Sequence, residues 1–368
     1  MPLRRREMFE GFEPYTWEPS TEEIARGVGL PPQRIVRLDL NTSPIKPNEA
    51  LIRLSRMLPD LRVNEYPDTS YRALREAIAE YTGHDPEAII PTNGADEAID
   101  ILSRVFLEKG MRALASVPTY SYFRIATELQ GAEFVRISRK QDLEDDVDAI
   151  LSSLDPRVGI VFLCSPNNPT GNLTPPSVIE KVSSETDACI VVDEAYYEYC
   201  GQTAEPLTER HENVVVVRTL SKAFGLAGAR IGYILSSRET ARLINRARPP
   251  NSLGVMNIEL AKIALRYRAY VRRVVRRVSN ERERVAAELK RIGVKTFASA
   301  ANFLLMRFED VDAGRVYEGL LRRGIVVRKL SGDRHVENCL RVTIGLKRHN
   351  DLFLSALTEV LEALRSQS

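Results

Sequence analysis

"VVVVRTLSKAFGLAGARIGYIL", residues 214–235, holds two short apolar runs joined by a loop of small residues. Four consecutive valines suit a strand buried on both faces, and "IGYIL" (231–235) has the same character. Between them sits Lys222, in a chain with 42 arginines and 10 lysines. Arginine stays protonated at any workable pH, whereas a lysine amine can release its proton and act as a nucleophile. A lysine here asks for chemistry that a guanidinium cannot perform.

Working outward, "RALASV" (112–117), "EFVRI" (133–137), "GIVFL" (159–163) and "CIVVD" (189–193) also read as buried strands. Helical patterns lie between several of them. In "ADEAIDILSRVFLEKG" (95–110), Ala98, Ile101, Leu102, Val105 and Phe106 share one face. Strands alternating with helices predict an α/β architecture, a mainly parallel sheet covered on both sides, with ligands at the carboxyl ends of its strands. After "RARPPNSLG" (246–254) a long helix follows, with Tyr267, Val271, Val274, Val278, Val285 and Leu289 on one face. "NFLLMRF", "GIVVR" and "CLRVTI" then alternate with two helical segments, as in a smaller α+β domain. The first forty residues read as an arm plus a short helix.

The chain has 368 residues, 43% hydrophobic and 28% charged, enough for a large core of ordinary soluble type. A net charge of +2 gives no strong pull toward nucleic acid or membrane, and no apolar run reaches the length of a membrane span. The arginine-dense stretch 266–285 reads as a solvated helix face with nearby glutamates rather than an anion surface. "MPLRRREMFEGF" has no apolar block after its basic residues and is not expected to be a secretory signal. Four scattered cysteines suit reduced residues in a cytoplasmic protein, and the four histidines lack metal-ligand spacing, so no metal is expected.

Four polar stretches fall at predicted strand ends. In "PTNGADEAID" (91–100), Thr92 or Asn93 can cap a helix starting near Ala95, and Gly94 permits close backbone approach; such a helix start also suits a phosphate. In "CSPNNPTGN" (164–172), Pro169 and Gly171 fix a turn while the Asn168 amide projects at the ligand end. Asp193 closes an apolar run and is either a helix cap or a buried carboxylate in need of a cation. In "TLSKAFGLAGAR" (219–230), Thr219, Ser221 and Arg230 form an anion site around Lys222.

Taken in order, these motifs resemble the aspartate-aminotransferase-like, pyridoxal-phosphate-dependent enzymes of fold type I, and among them most the histidinol-phosphate aminotransferases. The resemblance runs from "EPYTWEPS" (13–20) through "NEYPD" (64–68) and "VVDEAYYEY" (191–199) to "LRVTIG" (340–345). It implies a large domain, residues 42–250, with a mainly parallel seven-stranded sheet between helices. Residues 1–41 and 251–368 would form the arm and a smaller α+β domain. It further implies that Lys222 is the internal Schiff-base lysine, that Asp193 pairs with the pyridine nitrogen, and that Tyr196 and Asn168 face the phenolic oxygen. The phosphate would be held by the backbone at Gly94, Ala95 and Asp96, by Thr219, Ser221 and Arg230, and by Tyr66 of a neighbouring subunit. Tyr120 would stack on the ring. Substrate would meet Tyr15, Asn41, Arg328 and Arg341. The implied activity is amino transfer from histidinol phosphate to 2-oxoglutarate in histidine biosynthesis, by a homodimer with shared sites. Threonine-phosphate decarboxylation and aromatic or broad-range amino transfer are the alternatives; a sensing module joined to a DNA-binding domain is the remote third. "LNTSPIKPNEA" (40–50) departs from the family, with Ser43 where a second asparagine is usual and no glycine after Pro44. That departure bears on the substrate and leaves cofactor chemistry untouched.

Overall fold

The computed structural model describes residues 3, 6, 9, 11–15 and 17–366. At its centre is a seven-stranded sheet in the order Ile89–Thr92, Gly232–Leu235, Val214–Thr219, Cys189–Asp193, Val158–Cys164, Arg112–Val117, Glu133–Ser138. Gly232–Leu235 runs antiparallel to both neighbours, and the other pairings along the order are parallel. The valine run shows why the sheet is buried twice over. Successive side chains of a strand point to opposite faces. Val214 and Val216 enter the core cluster on one face, Val215 and Val217 the cluster on the other. Helices Gly94–Phe106 and Tyr122–Leu129 pack on the second face.

The chirality and connectivity of such a sheet bring the carboxyl ends of its parallel strands to one edge. Thr92, Val117, Cys164, Asp193 and Thr219 all end there, and Gly232, first residue of the reversed strand, lies opposite Thr92 and Thr219.

The smaller sheet is antiparallel, ordered Arg328–Lys329, Cys339–Thr343, Phe303–Arg307, Lys295–Thr296, with helices Ala313–Arg322 and Arg268–Arg291 packed on it and Lys347–Arg365 packed on both helices. Two expectations change. "GIVVR" is not one strand: Ile325–Val326 pairs in parallel with Val36–Arg37, and Arg328–Lys329 joins the other sheet. The long helix after residue 254 is two, Val255–Arg266 and Arg268–Arg291, broken at Tyr267 (ψ 50°), so Tyr270 takes the buried place expected of Tyr267. Helix Val255–Arg266 packs on Asn48–Met57 and Arg72–Thr82. Apolar periodicity finds a helix; it does not say against which neighbour the helix buries its stripe.

On Arg268–Arg291 the arginines behave as a solvated face: Arg284 bridges Glu281 and Asp351, and Arg291 pairs with Glu288. No described helix is long and apolar enough to cross a membrane.

Candidate active site

The strand ends open into a cavity of about 760 Å³, walled on the far side by the N-terminal segment and the smaller sheet. Every residue given a cofactor or substrate role above lines it except Gly94 and Tyr66. Gly94 lies directly behind the wall and Tyr66 stands 85% exposed on the outer surface.

Lys222 sits in the loop between the antiparallel pair Val214–Thr219 and Gly232–Leu235, its ammonium 5.5 Å from the centre of the Tyr196 ring. Burial pushes its pKa down to about 8, and the guanidiniums of Arg341 and Arg230 push the same way against Asp96 and Asp193. A neutral amine is thus within reach near physiological pH.

Asp193 is buried, and one oxygen accepts the Ala195 N–H at 3.0 Å. No described cation comes within ion-pair distance, and burial raises its pKa to about 7. The cation a buried carboxylate needs is therefore to be supplied from the cavity. Neighbouring Glu194 has its own cation: it pairs with buried Arg218 at 2.9 Å, which ties the strand ends carrying Asp193 and Thr219 together. Tyr196 accepts a hydrogen bond from Asn41 at 2.9 Å, and burial raises its pKa.

At the helix start the expected side-chain caps are absent. The Thr92 hydroxyl donates to the Gly94 carbonyl, the Asn93 amide donates to the Ser252 carbonyl, and Glu97 reaches back to the Asn93 N–H at 2.5 Å. Because Glu97 serves the Asn93 N–H, the first N–H groups of the helix have no side-chain cap, and Ala95 and Asp96 line the cavity there. Gly94 has φ +79°, and a Cβ there would come within 2.6 Å of Arg230 Nη2; a Cβ on Gly232 would come within 2.6 Å of the Gly94 carbonyl carbon. The two glycines let helix start, reversed strand and guanidinium close on one point. Thr219 Oγ1 lies 2.9 Å from Ser221 Oγ, and both hydroxyls face the cavity. Asp96 accepts from Arg230 Nη2 at 2.7 Å and from the Tyr120 hydroxyl at 2.8 Å, fixing both side chains at the cavity wall.

At the opposite end Arg341 is buried, bonded to the Asn168 side-chain oxygen and at 2.5 Å to the Asp39 carbonyl, with its Nε left without a partner among the described residues. Arg328 donates to Glu18 at 2.6 Å, and the Tyr15 hydroxyl donates to the same carboxylate oxygen at 3.0 Å. Glu18, Asp39 and the neighbouring Trp17 were given no role in the sequence analysis. Glu18 and Arg328 are 310 positions apart, and a lone acid in a polar arm looks like any solvated residue.

These residues fit pyridoxal phosphate. A cradle of backbone N–H, two hydroxyls and a guanidinium suits the phosphate, the unpaired Asp193 suits a protonated ring nitrogen, and Lys222 lies between them.

Residues 38–357 match the family described as aminotransferase class I and II. Histidinol-phosphate aminotransferase of Thermococcus gammatolerans is 38% identical over 326 residues, 88% of this chain and 92% of that one. The enzyme of the same name from Methanosarcina mazei is 35% identical over 363 residues, 97% of each chain. The crystal structure of histidinol-phosphate aminotransferase from Sinorhizobium meliloti in complex with pyridoxal-5'-phosphate superposes with a TM-score of 0.89, at 26% identity and 98% coverage of both chains. The chain belongs to the class I and II aminotransferases, pyridoxal-phosphate-dependent enzymes of fold type I, and stands close to the histidinol-phosphate aminotransferases.

Proposed function

We propose that this protein transfers the amino group of histidinol phosphate to 2-oxoglutarate in two half-reactions, in the cytoplasm, as a step of histidine biosynthesis. The observation that carries the reading is one cavity with a neutral-capable lysine and an unpaired buried carboxylate at its centre, anion donors at one end and two guanidiniums at the other. Nearly full-length similarity to enzymes of that name supports the choice of substrate.

In this reading the cofactor, when bound, supplies an aldehyde that condenses with amines and a ring that accepts the electrons released at the substrate carbon. Lys222 would hold it through its side-chain amine and, as a free amine, would serve as general base and acid for the proton at the substrate carbon. Asp193 holds the proton on the ring nitrogen. Tyr196, held by Asn41, and Asn168, held by Arg341, present polar groups to the ring's oxygen. Tyr120 packs beside the ring, fixed through Asp96. Ala95, Asp96, Thr219, Ser221 and Arg230 hold the phosphate. Arg341 grips the substrate's acidic end, the α-carboxylate of glutamate or the phosphate of histidinol phosphate. Arg328, Tyr15 and Asn41 line that same end.

The test is spectroscopic. Histidinol phosphate added to the holoenzyme removes the visible absorbance of the bound aldehyde, and 2-oxoglutarate restores it. Release of carbon dioxide from threonine phosphate, with no spectral change on histidinol phosphate, would overturn the reading in favour of the decarboxylase.

The reading includes a homodimer with shared sites. Leu51, Ile52, Leu58, Val63 and Tyr66 are all exposed on the segment 48–66, an apolar surface of the kind that subunit contact covers. Tyr66 then reaches the phosphate of the other subunit. Mixing Lys222→Ala chains with Tyr66→Ala chains should give activity above that of either parent, because one of the two mixed sites is intact. No gain after verified subunit exchange removes the shared site.

A further inference from the structure

The two guanidiniums at the substrate end are held in an awkward arrangement. Arg328 and Arg341 are directly opposed in the antiparallel pairing of their strands. Like charges so placed repel unless a counter-ion stands between them and water. Asp39 does not fill that role, because its carboxylate is taken by Arg37 at 2.7 and 2.9 Å and only its carbonyl meets Arg341. Asp96 is likewise engaged, with Arg230 at the other end of the cavity. The acid that meets the pair is Glu18, which comes from the N-terminal segment and binds Arg328 at 2.6 Å. Among the described residues Arg341 has no carboxylate partner, and its Nε has no partner at all.

The pocket therefore offers one guanidinium ready for an anion and a second already occupied by an acid of the chain itself. We infer that Glu18 is a specificity-determining residue, a tethered competitor that holds Arg328 until the second carboxylate of a dicarboxylate substrate displaces it. A substrate with a single anionic group takes Arg341 and leaves the Glu18–Arg328 pair in place. A dicarboxylate gains Arg328 only by breaking that pair and the Tyr15 hydrogen bond to the same oxygen. Glu18 thus weakens dicarboxylate binding without touching the single-anion mode, and keeps a site that must admit both from being held by the dicarboxylate. The inference rests on the proposal that the Arg341 end receives substrate.

The chain carries its own reporter. Its single tryptophan, Trp17, adjoins Glu18, is 81% exposed and lies edge-on to Tyr15 with ring centres 5.8 Å apart. Glutarate, which has two carboxylates and no reacting group, is titrated into the holoenzyme with butyrate as the single-anion control, read by Trp17 emission and by calorimetry. Glutarate should shift Trp17 emission and butyrate should not. Glu18→Gln should tighten glutarate about fivefold or more while butyrate stays within about twofold. In an Arg328→Met background the Glu18→Gln effect should vanish. An unchanged or weaker glutarate affinity in Glu18→Gln, with binding still lost in Arg341→Met, overturns the competitor role alone. Binding of both acids that is indifferent to Arg341→Met overturns it together with the substrate-end reading.

Discussion

Lys222→Arg should abolish amino transfer, by about 10⁴-fold or more, in a protein that still folds. The substitution keeps a long cationic side chain, so what it removes is the ability to become a neutral amine. Burial with two nearby guanidiniums holds the lysine's pKa at about 8 in the cofactor-free protein. A guanidinium in the same field stays charged, because the same surroundings cannot move a group that starts so much higher. Lys222→Ala should fall as far but be partly rescued by a small added amine such as methylamine, which can diffuse into the space left; Lys222→Arg should not be rescued. The wild-type amine also sets a pH dependence. Capture of the aldehyde needs the unprotonated form, so its rate should climb as pH rises from 6.5 and level above about 8. Stopped-flow absorbance reads the rate, and borohydride reduction with peptide mapping reads the site. A tag on any other lysine, or Lys222→Arg turning over within tenfold of wild type, ends the assignment of position 222.

Asp193→Asn should keep the cofactor and lose on the order of 10³-fold in turnover, because a neutral amide no longer favours the proton on the ring nitrogen. A second consequence separates this from a folding defect. The carboxyl's pKa is raised by burial from 3.8 to about 7 in the folded chain. A raised folded value means the native state holds the proton more tightly. Stability from that proton is complete below about pH 4 and is lost as pH rises to about 7, a loss of roughly 4 kcal/mol at most. The amide has no charge to bury. Cofactor-free Asp193→Asn should therefore melt higher than cofactor-free wild type at pH 8, while the holoenzymes differ the other way, the wild type gaining the ion pair. Equal melting temperatures for the two cofactor-free proteins at pH 8 would show that the buried carboxylate carries no such cost.

The doubly buried strands were legible because a strand covered on both faces has no polar alternation, and runs such as "VVVV" and "CIVV" admit few other readings. Their ends were legible for the complementary reason: a hydroxyl, an acid or an amine just past such a run has nowhere to go but the sheet's edge. Contacts between segments far apart in sequence were not. Nothing near Glu18 announces Arg328, and nothing near Asn93 announces that its amide will serve the Ser252 carbonyl while Glu97 does the capping. "GIVVR" shows a further limit, since residues 325–326 and 328–329 pair with different sheets although the run reads as one strand. Pattern gives the period of an element, and partners decide the rest.

The loop bearing Lys222 and Arg230 spans two adjacent antiparallel strands, and its Leu220 N–H bonds the Ile231 carbonyl at 2.9 Å, zipping the loop shut at its base. Lysine and guanidinium thus hang from one hairpin stem inside the sheet rather than from separate crossovers. Local fluctuations that fray termini and outer loops leave such a stem intact until the domain itself melts. The spacing between Lys222 and Arg230, the proposed nucleophile and phosphate ligand, is therefore as durable as the fold, and heat should not detune it before the whole protein is lost.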